Sequence, residues 1–387
     1  MQNEEAGADT VSSLSERDLI TRIQSRLPPP PPWMIVGIGD DAAVVEPERN
    51  RLEVLTVDSV VEGVHFDRAF VPPEAIGYRA LAVNLSDLAA MGASPRLALV
   101  AMALPPSLSL ADFDAIVAGL CALAAEHRLH VAGGNLTRSP GPLAVDITVT
   151  GTVKRRQVLT RAGARPGDEL YVSGTIGAAA AGLSMLKTRA GANSLSTTNS
   201  LVTTNSRSTT ENAADTEEKE IADHAIGDRR SESSVSSVSP VVESCVERYL
   251  RPQPRLRLGV FLGRNRAASA CIDLSDGLAD GVHRIAEASD VGIALDACAL
   301  PIDPATRALS EARGGDAAMD ALEGGDDYEL LFASAPRMRR RVAAAARHAG
   351  LPLTRIGVCT EPPGVVLRRN GADTPLRVAG YQHFGHP

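Results

Sequence analysis

Five short acidic motifs lie in or beside apolar segments of this chain, and any fold it adopts has to accommodate them. They are Asp40-Asp41 closing the run Val36 to Val45, Thr56-Val57-Asp58-Ser59, Asn84-Leu85-Ser86-Asp87, Asp273-Leu274-Ser275-Asp276-Gly277 and Gly324-Gly325-Asp326-Asp327. A carboxylate taken out of water without a partner is costly, and neighbouring carboxylates repel unless a cation lies beside them. A single Asp pair after a Gly-Ile-Gly turn is explained well enough as a solvated turn, and Asp40 fits turn-shaping as well as ligation. Recurrence changes the reading. Five motifs of one chemistry, far apart in sequence, read as oxygen ligands gathered around hard divalent ions, with Mg²⁺ the default.

With 387 residues and 44% hydrophobic content, the chain is long enough for two α/β domains, each with its own core. Aromatic residues make up 3%, which argues against a base-stacking surface, and a formal charge of −8 argues against a nucleic-acid partner. Metal ions can still reverse the local sign for a polyphosphate. Cys121, Cys245, Cys271, Cys298 and Cys359 show no CxxC spacing, so they are expected to be reduced thiols, four of them in the core, in a cytoplasmic protein. The N-terminus lacks the basic and apolar regions of a signal peptide, and no apolar run reaches the roughly 20 residues of a membrane span.

Residues 1–12 read as disordered. Ser13 with Glu16 forms a capping-box pattern for a short helix carrying Leu14, Ile20, Ile23 and Leu27, and Pro28 to Pro32 form a stiff connector. Strands are expected at 34–38, 42–45, 52–57, 96–104, 131–134 and 143–153, and helices at 73–91 and 110–127. On the first of these helices Asp87 shares a face with Asn84. A second half begins near 159 with a strand, a Gly-rich turn and a helix to Lys187. Thr175-Ile176-Gly177 fits either plain turn geometry or a phosphate-facing helix N-terminus. From 188 to 240 the composition turns to Ser, Thr, Asn and charge, so a disordered insertion is expected. The predicted division is a tail, helix and connector at 1–32, one domain at 33–158 and a second at 159–387. Walker, HExxH and GxSxG motifs are absent.

Taken together, GIGDDAAVV (37–45), TVDSVVEGVHF (56–66), ALAVNLSDLAAMGA (80–93), GGN (133–135), LTRAGARPGDELYVSGTIG (159–177), RPQPR (251–255), IDLSDGL (272–278) and GGDDYELLF (324–332) resemble the thiamine-monophosphate kinase family of the PurM-like (aminoimidazole ribonucleotide synthetase) superfamily. The resemblance runs from about Ser15 to Phe384, interrupted by the insertion. It implies an α/β (α+β) fold of two domains, each a mixed sheet covered by helices, and a homodimer formed through the N-terminal domains with ATP near the interface. It also implies transfer of the γ-phosphoryl of ATP to thiamine monophosphate, giving thiamine diphosphate and ADP. The acceptor is an already ionised phosphate, so no general base is expected; the task is to bring two polyanions into line, which suits several Mg²⁺ ions.

By matching motifs, the resemblance implies metal ligation by Asp41, Thr56, Val57, Asp58, Asp87, Asn135, Asp273 and Asp276. It implies ATP contacts from Gly134, Asn135, Arg161 and Ser275, and thiamine monophosphate contacts from His65, Asp326 and Tyr381. Each has a structural alternative: His65 as a packed core histidine, Tyr381 as a surface aromatic, Arg161 as a surface ion pair. Three positions depart from the family pattern. Asn135 stands where many relatives have Asp and carries one negative charge less. Val57 stands where Thr is common and can offer only its main-chain carbonyl. Asp326 replaces a frequent Glu and is one methylene shorter. The alternatives are another ATP-dependent synthetase of the superfamily, or a metal- or nucleotide-binding homologue without turnover.

Overall fold

The computed structural model of the protein describes residues 9–204 and 240–378, with side chains for all but 192–204 and 240–242. Helix α1 (Glu16–Gln24) is opened by Ser15, which exchanges hydrogen bonds with Asp18 in a capping box. The cap therefore sits two residues beyond the expected Ser13, which lies in a 3₁₀ turn instead. Residues 9–12 are ordered, contrary to expectation, because Val11 is buried and its N–H donates to the Leu108 carbonyl at 2.9 Å. Residues 1–8 lie outside the described residues.

Strands β1 (Met34–Val36) and β2 (Val44–Val45) pair around the Gly-Ile-Gly-Asp-Asp loop. Then follow β3 (Leu52–Val61), α2 (Pro73–Ala90), β4 (Ser94–Leu104), α3 (Leu110–Glu126), β5 (His130–Arg138) and β6 (Ala144–Val153). They form a four-stranded mixed sheet ordered β3-β6-β4-β5, in which β4 and β5 run parallel. Alternation along β3 sends Thr56 and Asp58 to the face against α2, and Leu55 and Val57 outward at 70% and 62% exposure. β3 continues to Val61, beyond the expected Val57, because its pairing with β6 runs unbroken from Leu52 to Val61.

Helix α2 is the hub of this half. Leu81, Leu85 and Leu88 are fully buried, each worth roughly 2 kcal/mol in removed apolar surface. Two glycines let α2 and α3 touch: a Cβ on Gly77 would stand 1.8 Å from the Ile116 carbonyl oxygen, and one on Gly119 1.9 Å from that of Glu74.

The second half contains β7 (Glu169–Ser173), α4 (Ala178–Thr204), α5 (Pro240–Leu250), α6 (Leu256–Asn265), β8 (Ala270–Asp273), α7 (Leu278–Ser289), β9 (Gly292–Asp296), α8 (Pro304–Ala312), α9 (Ala317–Glu323), β10 (Leu330–Ser334), α10 (Arg339–Ala349), β11 (Leu353–Thr360), β12 (Gly364–Arg369) and β13 (Ala372–Pro375). Its sheet is ordered β13-β12-β9-β11-β7-β10-β8, antiparallel except for β12 with β9. The architecture is thus α/β with two mixed sheets and packed helices. Gly259 of α6 lies against α2, where a Cβ would meet the Ala89 carbonyl oxygen at 1.9 Å, so the halves touch through main chain.

Helix α4 continues past Lys187 to Thr204, so the start of the expected disordered insertion is helical; 205–239 lie outside the described residues. The α4 and α5 pair is antiparallel. Arg248 reaches the Thr175 carbonyl, and Gly182 abuts Cys245, where a Cβ would meet the carbonyl oxygen at 2.1 Å. All five cysteines are free: Cys245, Cys271 and Cys359 are buried, Cys121 packs half-buried against the core, and Cys298 is exposed. No helix among the described residues is long and apolar enough to cross a membrane.

Candidate active site

Asp58, Asp87, Asp273 and Asp276 come together where the two halves meet, although they belong to β3, α2, the end of β8 and the following loop. The Thr56 hydroxyl donates to Asp87, joining β3 to α2. The Ser86 hydroxyl donates to Asp273 at 2.7 Å, joining α2 to the second half. Ser86 was not singled out from sequence, though it stands inside the Asn-Leu-Ser-Asp motif.

The electrostatics are those of under-compensated negative charge. Burial first, then repulsion from Asp87, Asp273 and Asp276, pushes the Asp58 carboxyl up to about 7. Burial and Asp87 push Asp273 up to about 7 against the Ser86 hydrogen bond and the Arg161 guanidinium. Burial raises Asp87 as well, while the Thr56 bond and Arg161 act in the opposite sense. Arg161, itself exposed, is thus a cation whose field reaches the cluster from the second half. Asp276 also lies 3.4 Å from Arg284.

A hard divalent cation fits this donor set: carboxylates and a hydroxyl, oxygen donors throughout, with excess negative charge. Among the described residues no three His, Cys, Asp or Glu side chains converge on one point. Mg²⁺ needs no such triplet, since it takes one or two carboxylates and fills its shell with water and phosphate oxygens.

The other expected ligands stand elsewhere in the chain. Asp41 lies exposed on the β1–β2 loop, and with Gly134, Asn135 and Asp146 it lines a cavity of 1520 Å³ over the outer face of the four-stranded sheet. β3 and β5 form opposite edges of that sheet, so Asn135 is three strand spacings, about 14 Å, from the β3 residues. One chain therefore does not bring Asp41, Gly134 and Asn135 to the acidic cluster, contrary to expectation. Gly134 has a packing reason of its own: a Cβ there would lie 1.8 Å from the Val100 carbonyl oxygen. Asp146 was missed; it shares a rung with Asn135 through Ala101 and accepts from Ser59. The alternation of β6, which sets Asp146, Thr148 and Thr150 on one side, was the signal that could have found it.

Ser275 sits in the loop after β8, where its carbonyl accepts from the Asp326 N–H at 2.7 Å, so the two C-terminal acidic motifs run side by side. Asp326 has a positive φ of 67° and is held by the buried Arg79 and by the Tyr328 hydroxyl at 3.1 Å. His65 is half-buried, and its Nδ1 accepts from the Val61 N–H at 3.0 Å, which places the ring proton on Nε2. Tyr381 lies outside the described residues. The phosphate reading of Gly177 does not hold, because its N–H at the start of α4 already donates to Asp327 Oδ2 at 2.7 Å. Burial pushes Asp327 up to about 7.

Comparison with known proteins accounts for most of the chain. The family model of the AIR synthase related protein, N-terminal domain, matches residues 39–153, and that of the C-terminal domain matches 231–370. The thiamine-monophosphate kinase of Escherichia coli (strain K12) is 36% identical over 354 residues, covering 91% of this chain and 93% of that protein. The crystal structure of thiamine-monophosphate kinase from Stenotrophomonas maltophilia K279a is 37% identical with a TM-score of 0.73, covering 93% of this chain and 98% of that one. The structure of AaThiL complexed with AMPPCP and TMP is 29% identical with a TM-score of 0.67, covering 90% and 92%.

Proposed function

This chain belongs to the thiamine-monophosphate kinase family, and we propose on that premise that it transfers the γ-phosphoryl of ATP to thiamine monophosphate, yielding thiamine diphosphate and ADP. The observation that carries the proposal is the gathering of Asp58, Asp87, Asp273 and Asp276 from both halves into one site with uncompensated negative charge. The AMPPCP and TMP bound to the AaThiL relative are an ATP analogue and the matching acceptor.

Thr56, Asp58, Asp87, Asp273 and Asp276 are assigned to hold Mg²⁺, which when bound offsets charge on the two phosphates and brings them into line. Arg161 offers a planar fork to phosphate oxygens beside the cluster, and Ser275 contacts ATP. His65, through its Nε2–H, and Asp326 are assigned to thiamine monophosphate, with Tyr381. No side chain is required as a base, because the acceptor oxygen is already ionised.

Asp41, the Val57 carbonyl, Gly134 and Asn135 are assigned to the same ions and nucleotide in a homodimer. Two observations support that assembly. Leu55, Val57 and Leu99 leave apolar side chains uncovered on the outer sheet face, at 70%, 62% and 40% exposure. The expected ligands also divide between opposite edges of one sheet, so a single chain holds Asn135 apart from Asp58, and a site that uses both draws on a second copy. The sheets share no strand, which supports a domain division near residue 158, with 1–32 as tail, helix and connector. Five free thiols support a cytoplasmic location.

Titrating Mg²⁺ into purified protein with ATP and thiamine monophosphate, and following thiamine diphosphate by chromatography, tests the function. Metal-dependent product is expected. Metal binding without product overturns the reading in favour of a non-catalytic homologue.

A further inference from the structure

We propose that Arg79 and Tyr249 are positioning residues that lock the two acceptor-side motifs, Val-Glu-Gly-Val-His65-Phe and Gly-Gly-Asp326-Asp-Tyr, into one pocket across the domain boundary. The proposal deepens the function proposed above and rests on it for the identity of the acceptor.

Arg79 projects from α2 and is only 3% exposed, an unusual place for a guanidinium. Its two terminal nitrogens are spent on the second half of the molecule. Nη2 donates to Asp326 Oδ1 at 2.5 Å, and Nη1 donates to the Tyr249 carbonyl at 2.6 Å. The guanidinium also lies 4.4 Å from the centroid of the Tyr249 ring, a cation–π contact. Its Nε has no hydrogen-bond partner. A buried charge held with one N–H unsatisfied contributes little net stability, so what the arrangement secures is geometry.

The second link runs through the same tyrosine. The Tyr249 hydroxyl donates to the His65 carbonyl at 3.1 Å, while the His65 ring accepts from Val61. One continuous chain of contacts therefore leads from Asp326 through Arg79 and Tyr249 to the His65 main chain. It crosses the boundary three times, since Arg79 and His65 belong to the first half and Tyr249 and Asp326 to the second. Asp326 is further fixed by the Tyr328 hydroxyl, and its left-handed backbone is one that Asp adopts more readily than most residues. Neither Arg79 nor Tyr249 belongs to the acidic cluster, where ATP and metal are placed. The positioning therefore acts on the acceptor alone.

Tyr249→Phe deletes the hydroxyl bond to His65 and keeps the ring over Arg79. Arg79→Lys keeps the charge and loses the fork that reaches Asp326 and Tyr249 together. The assay is steady-state kinetics with thiamine monophosphate and ATP varied separately, alongside thermal melts. Expected is a rise in KM for thiamine monophosphate of about 3- to 10-fold for Tyr249→Phe and of more than about 10-fold for Arg79→Lys, with KM for ATP within twofold. The double variant is expected to exceed Arg79→Lys by less than the Tyr249→Phe factor, because both substitutions cut one chain of contacts. Equal rises in both KM values, or a fall in melting temperature with unchanged KM, overturn the proposal and leave a purely structural role. Wild-type protein in the same assay separates the two readings: no product from wild type refutes the kinase function, whereas normal wild-type turnover with unshifted variants refutes only the positioning role.

Discussion

Replacing Asp87 with Asn is expected to make the metal-free protein more stable and inactive. Asn keeps an acceptor for the Thr56 hydroxyl and removes one negative charge from the cluster. The sign follows from the carboxyls around it. Asp58 and Asp273 are pushed up to about 7 in the folded chain from the ordinary 3.8, so stability is fullest at low pH and is lost as pH rises from about 4 through 7. A carboxyl displaced that far costs about 4 kcal/mol once ionised. Burial is the first cause and Asp87 the leading charge for both. Taking a quarter of each penalty as repulsion from Asp87, its neutralisation returns about 2 kcal/mol at pH 8. With an unfolding entropy of about 2.1 cal/mol/K per residue, that is a rise in Tm of about 2–4 °C, larger if the first half melts alone. At pH 5 Asp58 and Asp273 are protonated in the fold, and the gain shrinks to under about 1 °C. Differential scanning calorimetry in EDTA at both pH values, paired with chromatographic assay of thiamine diphosphate in Mg²⁺, reads both halves of the expectation. A Tm that falls at pH 8, or turnover near that of wild type, refutes the acidic cluster as the metal site.

Mixing Asp87→Asn chains with Asp41→Asn chains and allowing exchange should restore about one quarter of wild-type turnover, since half the dimers then carry one intact composite site; no recovery would place all ligands within one chain. Gly77→Ala drives a methyl into the Ile116 carbonyl and should cost about 3 kcal/mol in urea unfolding, whereas Gly141→Ala, with open space around it, should cost nothing measurable. An unchanged midpoint for Gly77→Ala would show that α2 and α3 are free to separate. Deleting 188–239 and joining Lys187 to Pro240 through a short Gly-Ser linker should leave kcat within twofold and Tm within about 2 °C. The reason is that the buried side chains of α4 reach Leu186, which the deletion keeps, whereas 187–189 are exposed. Loss of activity would give the removed segment a structural part.

The elements legible from sequence were those whose packing repeats along the chain. Pro72-Pro73-Glu74 and Gly92 bracket α2 closely, and the alternation of 143–153 appears as β6 with every second residue buried. Acidic motifs were legible because a carboxylate amid apolar residues is conspicuous, and three of them do meet, bringing Asp58, Asp87, Asp273 and Asp276 together. Sheet order was not legible. Nothing in the spacing of Asn135 and Asp58 says that their strands form opposite edges, and so the division of the expected ligands emerged only with the topology. The link between Arg79 and Tyr249 was not legible for a related reason: Tyr249 reads only as one residue of a helix with Val246 and Leu250, Arg79 as an ordinary helix residue, and the meaning of each lies in what crosses from the other half. The cap at Ser15 was misplaced because Ser13 and Ser15 each have an acid three residues on.

Helix α2 carries Arg79 on the acceptor side and Asp87 on the phosphoryl side, eight residues apart on one rigid rod. At 1.5 Å per residue the interval is about 12 Å, fixed by helical rise and indifferent to loop motion. The helix is in that sense a ruler for the acceptor: a phosphate ester much shorter or longer than the intended one presents its phosphate off the mark. Selectivity for molecular length then comes from secondary structure, before any side chain reads the ring.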